Sequence, residues 1–361
     1  MNDIKKKKAD NPFAAFGARH VPLVDGVIRG HFDAKLRGSR GLVRTLFRDL
    51  KEYCLRDGKR VRPLLLLLAC RGYLKGTWRA GEMAKMAASL ELMHSFLLVQ
   101  DDIIDRSDLR RGKKTLHMLA GERFTPLTRN PRVGSDVALV MADMLMTGAL
   151  ELIAAAKIDP AMKDRFLRLF AETYERTARG QILDIIHSLP KKFDDPSVPW
   201  EIGVTKTAYY TMVYPLLMGY LLAGGRSKKE EKLIHDCALP LGLAFQIRDD
   251  ILGVFGRDDT TGKPSSSDLQ EGKYTFLVSD TVQKLAAPKR RCFIALLTAP
   301  EKSDAALREM RLLMLSAGAP ARSYEMLVAL AAESRKRIPR LGIDNAGRRA
   351  LVGLVEMVGK L

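Results

Sequence analysis

Apolar residues recur at three- and four-residue spacing through nearly every long segment of this chain, whereas the strict alternation that marks strands is scarce. That period predicts an all-α protein. Stretches bearing proline and glycine interrupt it at about 121–135, 189–199, 256–272 and 317–321, leaving helix-length segments between them. Two such segments run from Asp136, read as an N-cap, to Ala156, and from Lys206 to Ala223. None of the breaks has the composition of a flexible interdomain linker, so the pattern predicts one antiparallel helical bundle rather than two domains. We expect a loose basic tail over residues 1–20 and a single all-α domain over 21–361.

Composition narrows the classes of partner. A chain of 361 residues that is 47% hydrophobic can bury a sizeable core without staples. Sixty Lys and Arg against 42 Asp and Glu give a net charge of +18, which favours anionic partners: nucleic acid, a membrane surface or a phosphorylated small molecule. Aromatic residues are only 7% and are not interleaved with the basic ones, so a stacking platform for single-stranded nucleic acid is not expected. Cys54, Cys70, Cys237 and Cys292 lie far apart with no CxxC pair, and are read as free thiols of a reducing compartment. The start, MNDIKKKKADNPFAAFG, lacks the apolar core of a signal peptide, and the expected location is cytoplasmic. The most apolar run, Leu64 to Cys70, is far shorter than the roughly 20 residues that span a bilayer. No transmembrane segment is expected.

Chemistry enters where the apolar pattern is broken by acid. ELMHSFLLVQDDIID, Glu91 to Asp105, is an interior-like helix ending in three aspartates. Positions i and i+4 of a helix share a face, so Asp101 and Asp105 point the same way, with Asp102 offset by about 100°. Two carboxylates on one partly buried face call for a neutralising cation, and hard oxygen ligands with room for water and phosphate suit Mg²⁺. Read alone, DDIID is equally a solvated acidic helix end. A second interruption, FQIRDDILGVFG, places Asp249 and Asp250 in another apolar helical stretch. Inward carboxylates on two facing helices can build a metal site, with Asp249 facing Asp101 and Asp105 across a cavity; the alternative is a surface acid paired with Arg248.

Basic segments accompany both clusters. RSDLRRGKKTLH carries Arg110, Arg111, Lys113 and Lys114, DGKRVRP carries Lys59, Arg60 and Arg62, and TGKPSSSDLQEGKYT carries Lys263 and Lys273 on a loop able to close over phosphate. Solvated basic turns would look similar.

Taken in order, GKRVRP, HSFLLVQDDIIDRSDLRRG, GQILDI, KTAYY, FQIRDDILG and GKPSSSDLQEGK resemble the trans-prenyltransferase family of isoprenyl diphosphate synthases over about Lys59 to Lys273. The resemblance implies an all-α bundle around a central cavity, usually homodimeric. It further implies that isopentenyl diphosphate is joined head-to-tail to an allylic diphosphate with Mg²⁺, three ions per site, Mn²⁺ being a substitute. Carried over by position, Asp101, Asp105, Asp184 and Asp249 match metal ligands, with Asp102 and Asp250 in support. Arg110, Gln181, Lys206, Thr207, Gln246, Lys263 and Lys273 match residues around the allylic substrate. Lys59, Arg62, His94 and Arg111 match the isopentenyl diphosphate pocket. His94 lies two helical turns before Asp101 on the same face, which permits that role, although spacing alone suits an ordinary half-buried histidine.

Two positions depart from the commonest pattern. Gly253 stands where many relatives have a third Asp, which implies weaker metal support on that helix, and Gln100 stands where relatives often have His. Product length is expected to follow Phe96 and Leu97. Phe96 is five residues, roughly 7.5 Å of helix, below Asp101 and forms a floor for the growing chain. A lone aromatic there, with Leu97 beside it, resembles the archaeal-type pattern for a twenty-carbon product, geranylgeranyl diphosphate. A farnesyl or longer polyprenyl diphosphate synthase is the alternative. A class I terpene cyclase would not need the second basic pocket, and a non-catalytic subunit of a heteromeric synthase usually lacks one acidic motif.

Overall fold

The computed structural model describes residues 11–188, 193, 195–256 and 267–361. Helices dominate throughout, as the period predicts. The chain forms two compact units: one runs up to Leu167 and takes in Met218–Gly225, and the other comprises Arg168–Leu217 and Arg226–Leu361. Two of the boundaries fall inside helices, at Pro160–His187 and Tyr214–Leu222, and the third follows Gly224 and Gly225.

In the first unit, α1 (Pro12–Arg37) corrects the expected tail. Asn11 caps it by accepting from the Phe13 and Ala14 amides at 2.9 and 3.1 Å, and Pro12 opens its first turn. Phe13, Phe16, His20, Val24, Ile28 and Phe32 then form a buried stripe, so residues 12–20 are helix. The lysine-rich start masked this short signal. After α2 (Gly41–Cys54) comes α3 (Val61–Tyr73), whose Leu64–Cys70 run is buried all round. Helix α4 (Ala80–Ile104) carries the first acidic motif, followed by a hairpin of β1 (Leu109–Arg110) and β2 (Lys113–Lys114) and by α5 (Leu116–Phe124).

Helix α6 (Val133–Ala155) packs along α4. It begins before Asp136, whose carboxylate instead accepts from the Asn130 side chain at 3.0 Å, so Asp136 is not its cap. By length and composition α6 could cross a membrane, with a mean hydropathy of 1.8 and 44% of that window buried. Its buried positions, Ala138, Met141, Ala142, Leu145, Ala149 and Leu152, recur at helical spacing as in a core helix.

Helix α7 (Pro160–His187) leads into the second unit. There α8 (Ser197–Ile202) continues into an eleven-residue π-helical segment, Gly203–Val213, and then α9 (Tyr214–Leu222), where the sequence predicts one regular helix from Lys206. Helix α10 (Lys228–Phe255) carries the second acidic motif. It packs against the π segment and against α15 (Ala319–Arg337). Between them lie α11 (Ser267–Glu271), α12 (Phe276–Lys284), α13 (Ala287–Thr298) and α14 (Asp304–Ser316), and α16 (Asn345–Val358) follows. Val254, Leu269, Leu277, Phe293, Leu297 and Met310 belong to the buried core of this unit.

One buried cation fixes the GKRVRP turn. Arg60 sits in the left-handed region at φ 48°, a strained place for a side-chain-bearing residue, yet its guanidinium is held on every side. It pairs with Glu91 at 2.8 Å and Asp25 at 3.1 Å and donates to the carbonyls of Cys54 and Arg56. Glu91→Leu leaves that charge buried without its closest partner and is expected to lower stability by about 3 kcal/mol. The double variant Arg60→Met/Glu91→Leu recovers part of the loss, read as urea midpoints.

Candidate functional site

Both acidic motifs lie near the C-terminal ends of long helices, the negative pole of the backbone dipole, and neither helix has a basic residue in its last turn. Asp101 and Asp102 occupy the final turn of α4, and Asp105 is its C-cap, its amide bonded to the Asp101 carbonyl at 2.8 Å. Neighbouring helix positions diverge by about 100°, so each aspartate pair splits. Asp101 and Asp105 are half-exposed, while Asp102 is 1% exposed.

Asp102 is fully engaged within the protein. Tyr53 donates its hydroxyl to Oδ2 at 2.8 Å, and Arg110 donates through Nε at 2.7 Å, and through Nη2, to Oδ1. Burial, then the Asp102 charge, push the Tyr53 hydroxyl well above its ordinary pKa. Burial alone would weaken Arg110 as a base; the charge of Asp102 more than offsets it and raises its pKa. Arg110 ends β1, and Arg111 and Gly112 form the turn at φ 56° and 73°, the signature of a type I′ hairpin. Arg111 donates to the Arg56 carbonyl at 3.0 Å, and its guanidinium lies over Gly58, where a Cβ would stand 2.8 Å from Cζ. Arg56 in turn donates to the carbonyls of Arg110 and Lys114. Two basic segments 54 residues apart in sequence are thus stitched together.

Near them, Arg62 approaches His94 Nε2 at 3.3 Å, and Lys59 is exposed at the head of the same turn. Burial first, then the charges of Arg62, Arg111 and Arg110, hold His94 well below the usual histidine value, so it is neutral at pH 7. Phe96 is buried at 3% exposure, and Leu97 is half-buried beside it.

In the second unit, Lys206 on the π segment pairs with Asp184 on α7 at 2.6 Å. Thr207 donates to Gln246, and Gln246 to Asp250 at 2.6 Å. Gln181 is half-buried one turn before Asp184. The π segment reaches these partners because glycine faces it on both sides. A Cβ on Gly180 would stand 2.7 Å from the Lys206 Cα, and one on Gly242 would stand 2.5 Å from the Ala208 Cα. Asp249 is exposed and Asp250 is 3% exposed; burial, then the charge of Asp268, push Asp250 well above the carboxylate range. Lys273 pairs with Glu271, and Lys263 lies outside the described residues.

Gly253 has a structural counterpart: a Cβ there would stand 2.5 Å from Asp268 Oδ2. The space beside α10 where a third motif aspartate would begin is taken by a carboxylate from α11. Asp268, Tyr53 and Arg56 were not singled out by sequence reasoning. Asp268 is visible only as one polar residue of a Ser-rich loop, and Tyr53 lies 49 residues before its partner.

The donor set fits Mg²⁺. Its accessible members are oxygens at a negative helix pole, and among the described residues no three His, Cys, Asp or Glu converge into a closed cage. Mg²⁺ keeps waters and binds one or two carboxylates with substrate phosphates, so it needs none.

An all-α fold with an acidic motif near the C-terminal end of each of two long helices agrees with the class to which the family match assigns the chain, the isoprenyl diphosphate synthases, which are prenyltransferases. Residues 44–314 match the polyprenyl synthetase family, and the chain belongs to it. A geranylfarnesyl diphosphate synthase of Aeropyrum pernix is 32% identical over 274 residues, covering 73% of this chain and 77% of that one. A geranylgeranyl diphosphate synthase of Saccharolobus solfataricus is 30% identical over 272 residues, covering 72% and 74%. Among solved structures, a geranylgeranyl pyrophosphate synthase from Corynebacterium glutamicum, complexed with isoprenyl diphosphate and magnesium, superposes with a TM-score of 0.84 at 24% identity, covering 93% of this chain and 98% of that one.

Two outcomes follow from the site geometry. Unfolded His94 takes up a proton near pH ~6.5 whereas the folded residue stays neutral, so folding stability falls as pH drops through that value. His94→Gln is therefore expected to lose less melting temperature than wild type between about pH 7.5 and 5.5. Gly253→Asp, although it restores the commoner motif, drives a side chain into Asp268 beside buried Asp250. A loss of about 2 kcal/mol, measured by urea denaturation, is expected.

Proposed function

We propose that the chain is a Mg²⁺-dependent short-chain trans-prenyl diphosphate synthase that joins isopentenyl diphosphate head-to-tail to an allylic diphosphate, with geranylgeranyl diphosphate as product. The observation that supports this reading is the split of each aspartate pair into an inner residue held by protein partners and a more exposed outer one near the negative end of its helix. Asp101, Asp105, Asp184 and Asp249 would hold Mg²⁺, which would supply Lewis acidity to the leaving diphosphate. Arg110, Lys206, Lys263 and Lys273 add fixed positive charge where negative charge develops as the allylic C–O bond breaks. The Lys206–Asp184 ion pair and the chain from Thr207 through Gln246 to Asp250 support those roles. Lys59, Arg62 and Arg111 hold the second diphosphate, with neutral His94 able to accept from Arg62. The isopentenyl double bond attacks the allylic carbon, and the proton lost from the adduct goes to the released diphosphate, since none of these side chains is placed as its base.

Buried Phe96, below Asp101 on α4, supports a floor for a twenty-carbon chain. Exposed Leu139, Val140 and Leu150 on α6 support a homodimer through that helix. The four free cysteines, with Cys54 and Cys70 each pushed up to about 12 by burial, suit a cytoplasmic protein.

Asp101→Ala and Asp249→Ala are each expected to cut Mg²⁺-dependent condensation by at least about 100-fold with the circular dichroism spectrum unchanged. Near-normal turnover in both would sink the reading. Radiolabelled products from isopentenyl diphosphate and each allylic primer fix the length: a fifteen-carbon, or a twenty-five-carbon or longer, product in place of the twenty-carbon one would assign the alternative synthase.

A further inference from the structure

Among the described residues Tyr53 is the one uncharged side chain on the Asp102 carboxylate, and the reaction scheme above gives it no part. It belongs to the last turn of α2, is 3% exposed, and is covered by Arg56, whose guanidinium carbon lies 4.9 Å from the ring centre. Its hydroxyl donates to Asp102 Oδ2, while the Arg110 Nε and Nη2 bonds converge on Oδ1. That division has a geometric consequence. A carboxylate and a guanidinium left to themselves favour a fork-to-fork pair using both oxygens. With Oδ2 held by Tyr53, Arg110 is kept offset, its Nε and Nη2 on one oxygen and its Nη1 outside this pair. Removal of the hydroxyl would leave Oδ2 a buried acceptor without its donor, which the carboxylate relieves by turning both oxygens onto Arg110. The guanidinium would turn with it.

We infer that Tyr53 is a positioning residue: through Asp102 it sets which edge of Arg110 is presented to the allylic diphosphate. The inference rests on the proposed role of Arg110. Arg56 serves the same end from the backbone side, since it carries the Arg110 carbonyl and the Tyr53 ring together. The C-terminal end of α2, outside every motif, thereby joins the diphosphate site.

The test uses Tyr53→Phe in the full chain. The KM for the allylic diphosphate is expected to rise about 10-fold, and the Kd of inorganic pyrophosphate with Mg²⁺, by calorimetry, to rise in parallel. The KM for isopentenyl diphosphate should stay within about 2-fold, because the Asp102 carboxylate acts on Tyr53 and Arg110, whereas Arg62 is paired with His94. Asp102→Asn should move the same two quantities, and adding Tyr53→Phe to it, or to Arg110→Gln, should add less than about 2-fold. Equal rises in both KM values, or a full effect of Tyr53→Phe in the Arg110→Gln background, would reduce Tyr53 to a structural residue and overturn the inference. Unchanged allylic KM and pyrophosphate Kd would overturn it too. Wild-type protein that condenses no primer would instead overturn the functional reading, and the pyrophosphate arm would still decide the role of Tyr53.

Discussion

Negative charge at the negative end of a helix is the constraint around which this protein is organised. Each acidic motif places adjacent aspartates near the C-terminus of a long, largely buried helix, where the backbone already opposes them. Successive helical residues diverge by about 100°, so one member of each pair must face the interior and the other must face out. The inner members are satisfied by protein groups, Tyr53 and Arg110 for Asp102, and Gln246 for Asp250. The outer members, Asp101 and Asp249, are the more exposed. In the proposed reading an adjacent pair of acids is therefore two devices, one that orders neighbouring protein groups and one that meets the substrate's counter-charge.

The rest of each unit keeps those inner partners from moving. In the first, Arg60 accepts a strained backbone so that its buried guanidinium can tie α1, the GKRVRP turn and α4 through Asp25, Glu91 and two carbonyls. Arg56 and Arg111 then fasten the hairpin to the same turn. In the second, the π segment widens the helix where Lys206 and Thr207 must project, and Gly180 and Gly242 give it room to sit against α7 and α10. Positions without side chains matter here as much as those with them.

At Gly253, where many relatives have a third Asp, packing leaves little room for a side chain. Asp268 from α11 stands where one would begin, and its charge contributes to the raised pKa of Asp250.

The sequence by itself determined the all-α class, the two acidic clusters and the family, because helical period, motif order and residue type are local properties that survive without coordinates. It did not reveal α1 before residue 20, the two units or the π segment. A cap such as Asn11 is a single residue, and neither a unit boundary inside a helix nor a π turn changes composition. The tertiary structure alone decided which aspartate of each pair is locked and by what, since Tyr53 and Asp102 are 49 residues apart and Gly253 and Asp268 meet only by folding. Chemistry-bearing residues announce themselves by type and spacing. The residues that aim them are ordinary in sequence, and only the packing of one helix against another gives them their role.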